Sequence, residues 1–260
     1  MRETNLLPLS AHDQIEFLDW DARRVPPARR VTSVLAKCSN LAEPEAASLT
    51  VGEREALLLQ LRRATFGERM ACLLECPRPE CREKMDLSIT VADLLARQEG
   101  EVSGIHEASF DGYLVRFRLP NGADQEAVAA LAQTDDSQAV QALLRRCVLE
   151  VARDGESPDA IPPAIVDRIS DAMAALDPQA EIVLEPLCPG CGSRFRTILD
   201  AASFFFSEVT AHARELLKEV HFLASYYHWS EAAILSLPEQ RRKFYLDLAE
   251  AAAHPGRCPS

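Results

Sequence analysis

Two short stretches constrain this chain more than anything else in it. "LECPRPECREKMDL" holds Cys76 and Cys81, and "LCPGCGSRFRTILD" holds Cys188 and Cys191. Prolines accompany both pairs, and Gly190 sits inside the second. Such residues let the backbone turn tightly, so both sulfurs of a pair can point at one ion. Four thiolates make the preferred closed shell of a structural zinc. We therefore expect one site made of two knuckles, with Cys76, Cys81, Cys188 and Cys191 as ligands and one structural Zn2+ per chain. A full shell leaves no open position for water, so the expected role is structural rather than catalytic. The pairs are far apart in the chain. The site requires the strands that carry them to be neighbours in one sheet.

The chain has eight cysteines and reads as cytoplasmic, where a disulfide framework is not expected. Its first residues lack a basic segment followed by a long apolar one, and no apolar run approaches a membrane span. Cys147 falls on an apolar helix face, and Cys72, four residues before Cys76, is close enough to compete as a ligand but reads as core. Cys38 and Cys258 have no evident partner. The net charge of -12 argues against bulk attraction to nucleic acid or anionic membranes.

Along the chain, residues 1–45 read as an extended N-terminal arm, broken by "VPPARR", with a short helix at "RVTSVLAKC". A firm helix opens at Thr50, where Glu53 completes a capping box, and stops at Gly67. "MDLSITV" reads as a strand and "ADLLARQ" as a short helix. "GIHEASFDGYLVRFRLPNG" reads as a hairpin turning at Asp111-Gly112 and closed by "PNG", with "MDLSI" joined to its sheet. "SQAVQALLRRCVLEVARDG" reads as one helix with Val140, Leu144, Cys147 and Val151 on a face. The helix after Pro162-Pro163 carries Ile165, Ile169, Met173 and Leu176. "AEIVLEPLC" returns as a strand. Phe206, Val209, Ala213, Leu216, Val220, Leu223 and Tyr227 then form a heptad-like seam, an apolar stripe of the kind that normally faces a protein's own core. Two shorter helices follow, the second opened by Pro238.

The expected fold is therefore α+β and predominantly α, with a small antiparallel sheet bearing paired zinc knuckles. Helical middle and C-terminal regions complete it. The expected organisation is an arm over 1–45, a zinc-knuckle core with a helical insertion over 46–200, and a helical region over 201–255.

No phosphate-binding glycine loop, H-E-x-x-H or G-x-S-x-G occurs, and no nucleophile has an evident base. The six histidines are scattered. Asp135 and Asp136 look like helix-capping residues. A binding or scaffolding module fits better than an enzyme. Two other functions remain open. One is a zinc-ribbon-like regulator that binds nucleic acid through "RRK" in the C-terminal helices. The other is a thiol oxidoreductase using the Cys188–Cys191 dithiol.

Several strings occur together and in order: "LTVGEREALLLQLRRATFGERM", "CPRPECREKMDL", "VRFRLPNGADQ", "LCPGCGSRFRTILDAASFFFSEV" and "ARELLKEVHFLASYYHWSEAAILSLPEQRRKFYL". Over about Arg30 to Ala251 the chain resembles the T-even-phage baseplate-hub family of contractile tails and phage-tail-derived injection systems. The first knuckle departs from the family-like pattern, having four intervening residues where a shorter turn is expected. The resemblance implies a non-enzymatic assembly factor or minor structural component, and no catalytic residue carries over. It implies other baseplate, hub, spike or tape-measure proteins as partners. The residues expected to meet them are Phe204, Phe205, Phe206, Tyr227, Trp229, Arg241 and Arg242.

Overall fold

The structure is a computed structural model that describes residues 4–22, 25–96, 104–153, 156, 158 and 161–253. In chain order its elements are α1 (Ala11–Ala22), α2 (Pro27–Lys37), α3 (Glu43–Ser48), α4 (Val51–Phe66), β1 (Arg69–Glu75), β2 (Lys84–Thr90) and α5 (Val91–Leu94). There follow β3 (Ile105–Phe110), β4 (Tyr113–Arg118), α6 (Gly122–Ala132), α7 (Asp136–Cys147), β5 (Val148–Arg153) and α8 (Pro163–Leu176). After a 3-10 turn at Pro178–Ala180 come β6 (Ile182–Leu184), β7 (Thr197–Leu199), α9 (Ala201–Tyr227), α10 (Glu231–Leu235) and α11 (Glu239–Ala253). The fold is α+β and mainly α, as expected. The chain divides into two compact units. The first comprises Met1–Pro8 and Pro26–Phe204, and the second Leu9–Val25 and Phe205–Ser260.

The first unit holds three small antiparallel sheets rather than one. β1 pairs with β2, β6 with β7, and β3-β4-β5 form a sheet of their own. The strand "MDLSITV" thus pairs with the strand before it and not with the β3–β4 hairpin. Leu74↔Met85 and Glu75↔Lys84 close its register at the first knuckle. The β3–β4 turn is made by Asp111 (φ 51°) and Gly112 (φ 84°), the double left-handed turn that matches strand twist.

Behind β3-β4-β5 lies one core. Val115 and Phe117 of β4 meet Leu144 and Cys147 of α7, Val151 of β5, and Ile165, Ile169 and Met173 of α8. This corrects the expectation of one helix through "SQAVQALLRRCVLEVARDG". The helix ends at Cys147 and "VLEVAR" is a strand, whose alternation carries Val151 into the core. Val140 and Leu176 accordingly point outward. "PNG" does not close the hairpin. Asn121 instead caps α6, its side chain accepting from the Asp124 N–H.

The Thr50–Glu53 capping box forms in both directions, and Leu57, Leu58 and Leu61 are buried. The same helix buries Arg54 almost completely. Its guanidinium donates to the carbonyl of Ala28 (2.7 Å), the carbonyl of Ala46 (2.9 Å) and the hydroxyl of Thr32 (3.0 Å). Thr32 in turn donates to Glu126 of α6 (2.7 Å). One side chain of α4 thereby ties α2, α3 and α6 together. Gly122 gives it room, since a Cβ there would collide with the guanidinium. Burial holds the Arg54 pKa below its ordinary value, against the opposing pull of Glu126.

The second unit has its own core. Buried Val209, Ala213, Leu216, Val220 and Leu223 confirm that the α9 stripe faces inward, with Phe205 rather than Phe206 as its buried first member. The stretch read as an extended arm contains α1, whose Phe17 and Gln14 are buried. Phe17 packs against Trp20 and Phe206, with ring centroids 4.2 and 6.4 Å apart, and Gln14 meets Nδ1 of His212 at 2.6 Å. The chain itself therefore covers the "FFF" run. Phe204 packs beside Leu59, Met70 and Val91, and Phe205 and Phe206 pack in the second unit. No helix among the described residues is long and apolar enough to cross a membrane.

Candidate metal centre

Each cysteine pair sits at the tip of a hairpin. The first lies between β1 and β2, where the Cys76 N–H donates to the Glu83 carbonyl (2.9 Å) and the Cys81 N–H to the Arg78 carbonyl (3.0 Å). The second lies between β6 and β7, beyond a bridge of Leu187 with Arg194. There the Cys188 N–H donates to the Ser193 carbonyl and the Gly192 N–H to the Cys188 carbonyl, both at 2.9 Å. In each knuckle the residue after the second cysteine is left-handed: Gly192 at φ 70° and Arg82 at φ 52°. The longer first knuckle ends in the same backbone geometry without a glycine. The tips meet closely, since a Cβ on Gly190 would lie 3.2 Å from Glu83 and 3.4 Å from the Cys81 sulfur. The two hairpins belong to separate sheets, which corrects the expectation of one shared sheet. Met85, Leu74 and Phe195 pack around the buried cysteines and hold the tips together.

All four sulfurs lie within 4.8 Å of one another. Cys76 Sγ is 3.8 Å from Cys191 Sγ, and Cys81 Sγ is 3.7 Å from Cys188 Sγ. A zinc–sulfur bond of about 2.3 Å sets the corners of a tetrahedron about 3.8 Å apart. The cluster therefore fits one tetrahedral thiophilic ion, and none of the four is in a disulfide. Cys76 and Cys188 are buried, Cys81 is half-buried and Cys191 is exposed.

The thiols compete for charge. Donation from the Ser193 N–H and hydroxyl pulls Cys191 down to about 6. The Glu83 N–H acts to lower Cys81, but burial and the three neighbouring sulfurs push it up to about 12. Cys76 is likewise held above its ordinary value, although the Arg78 N–H pulls the other way. One thiolate is thus accommodated and the next are opposed. A divalent cation removes that conflict, because it lets all four sulfurs carry charge together. Ser193, Glu83 and Arg82 were not singled out from sequence. Aligning the knuckles on their second cysteines would have placed Arg82 opposite Gly192.

Cys38, Cys72 and Cys147 stay outside the cluster. Cys72 is buried opposite Leu87 in the β1–β2 register, and Cys38 and Cys147 are buried. Cys258 lies outside the described residues. Burial, first, and the charge of Asp124 raise the Cys147 thiol to about 11.

The residues expected to face partners divide. Phe205 is buried, and Arg242 is buried with its guanidinium on Glu219 (2.5 Å) and the Leu237 carbonyl (3.3 Å). Phe204 and Phe206 are half-buried within the chain. Tyr227 stacks on Trp229 (4.6 Å, 17°), and both rings meet Tyr245. Arg241 is exposed.

A family model described as T4 bacteriophage base plate protein matches residues 26–206. The chain belongs to that base plate family. The base plate match holds both knuckles and the Arg54 hub. It nearly coincides with the Pro26–Phe204 segment of the first unit, and the C-terminal strings that carried part of the resemblance lie beyond it. No curated protein and no solved structure matches the chain.

Proposed function

We propose that this base plate family member is a non-enzymatic hub-assembly factor or minor structural component of a contractile, phage-tail-like injection system, stabilised by one structural zinc. The observation that carries the zinc is the four-sulfur cluster, whose 3.7 and 3.8 Å spacings suit a tetrahedral ion. The four ligands are Cys76, Cys81, Cys188 and Cys191. When bound, the metal supplies a fixed crosslink between the hairpins and no open coordination position. The chain's own residues do the rest: Ser193 and Glu83 orient sulfurs, and Leu74, Met85 and Phe195 shield them.

The partners are other baseplate, hub, spike or tape-measure proteins, met in the cytoplasm where the particle is built. Of the residues expected at that contact, Arg241 has the best support, while Tyr227 and Trp229 are half-buried against Tyr245. Arg241 is exposed and has no ion pair among the described residues, and Phe244, one turn further along α11, is an exposed aromatic. The nucleic-acid alternative is weakened by "RRK" itself, since Arg242 is buried on Glu219 and Lys243 pairs with Glu239. Deleting the gene tests the assignment. The expected result is loss of assembled particles or sheaths without baseplates, and normal particles would contradict it.

A further inference from the structure

Two of the sulfur contacts in the cluster run across the knuckles, at 3.8 and 3.7 Å. Cys76 touches Cys191 and Cys81 touches Cys188. Each cross pair joins positions 115 or 107 residues apart, whereas a bond inside a knuckle would close only a tight turn. Crosslinks that close long loops remove far more freedom from the unfolded chain. Cys191 is exposed, so an oxidant in solution reaches this sulfur first, and Cys76 of the other hairpin lies 3.8 Å from it.

We propose that the cysteine centre is a clamp with two closed forms. With zinc it is a tetrathiolate. When the metal is displaced by an oxidising disulfide it becomes two cross-knuckle disulfides, Cys76–Cys191 and Cys81–Cys188. The first form rests on the zinc reading above, and the second rests on the sulfur geometry alone. With oxidised glutathione as the co-reactant, the zinc tetrathiolate and two glutathione disulfides yield two protein disulfides, one Zn2+ and four glutathione thiolates. Four protein sulfurs lose one electron each, and the two glutathione disulfides take up those four electrons. Both forms join the β1–β2 hairpin to the β6–β7 hairpin, so the connection survives transfer from a reducing to an oxidising medium. In that oxidised form the Cys188–Cys191 disulfide expected of an oxidoreductase is absent, because each member is bonded to a sulfur on the other hairpin.

The test treats the full chain with oxidised glutathione plus a chelator, blocks remaining thiols, and maps crosslinked peptides by mass spectrometry without reduction. Thermal unfolding is read on the same samples. The expected map contains Cys76–Cys191 and Cys81–Cys188. The expected melting temperature lies about 10 °C or more above that of the reduced, chelated protein. A map dominated by Cys188–Cys191 and Cys76–Cys81 would overturn the proposal, as would an oxidised sample that melts with the reduced, metal-free one. Zinc content is measured separately before oxidation. A chain purified without zinc refutes the metal reading, while the peptide map still decides the pairing.

Discussion

Two devices in the first unit join segments far apart in sequence, and they solve the same problem with opposite chemistry. At the hairpin tips, four thiols from two hairpins converge, and the protein's own donors accommodate the charge of Cys191 but not those of Cys76 and Cys81. Around α4, one guanidinium reaches α2 and α3 directly and α6 through Thr32, and every contact it makes is already supplied by the protein. The cysteine cluster has the geometry to take up a cation, and the Arg54 hub is complete as folded. A long-range tie that depends on an external ion can be switched by conditions, while one built from buried hydrogen bonds fails only when a partner is removed.

The largest expected effect follows at the cysteine end. On the proposed zinc reading, chelation, or Cys188→Ser, should remove the metal and cost more than about 5 kcal/mol of stability in urea unfolding, because metal-binding energy is folding energy where the site forms only on folding. Hydrogen exchange should show the loss in β1, β2, β6 and β7, with β3-β4-β5 still protected, since their core uses no cysteine ligand. Equal loss across both regions would break the comparison. Next comes Arg54→Ala, which removes the donors to the Ala46 and Ala28 carbonyls and to the Thr32 hydroxyl and should cost about 3–5 kcal/mol. That deficit should be the same with saturating zinc and with chelator. Rescue by zinc would mean that the two devices are one.

A pH series separates them further. Burial acts to raise the Asp124 carboxyl, but Arg118, the Asn121 N–H and Arg146 outweigh it and hold it at about 2. A carboxyl depressed in the folded state contributes stability that is full above about pH 4 and fades as pH falls through about 2. Asp124→Asn should therefore cost about 1–2 kcal/mol at pH 6 and almost nothing at pH 2. A penalty independent of pH would refute the ion pairing. The smallest effect compares the knuckles. Arg82→Gly relieves a left-handed residue and loses an exposed pair with Glu75 (3.0 Å), for a net gain of about 0.5–1 kcal/mol. Gly192→Ala should move stability the other way by a similar amount. A loss in both would mean that Arg82 is held for its ion pair.

Legibility in the sequence followed the same division. The cysteine centre was visible because thiols at turn spacing have few uses, and the capping box at Thr50–Glu53 was visible because it is local. Arg54 was not, because an arginine inside "GEREALLLQLRR" looks like any solvated helix residue. Its burial depends on Gly122 and on carbonyls 8 and 26 residues away. The strand at Val148–Arg153 was missed because its apolar residues also fit a continuation of α7, and only pairing with β4 decides between them. α1 was hidden among acids, although Ser10 and Asp13 carry a helix-start spacing and do bond reciprocally.

The most direct test is zinc per chain in protein purified without chelator, by elemental analysis, with Cys76→Ser prepared in parallel. One zinc in the wild type and none tightly held in the variant is the expected result, and it would show that both knuckles share one ion. A wild type free of metal, or a variant that keeps its full complement, would contradict the clamp.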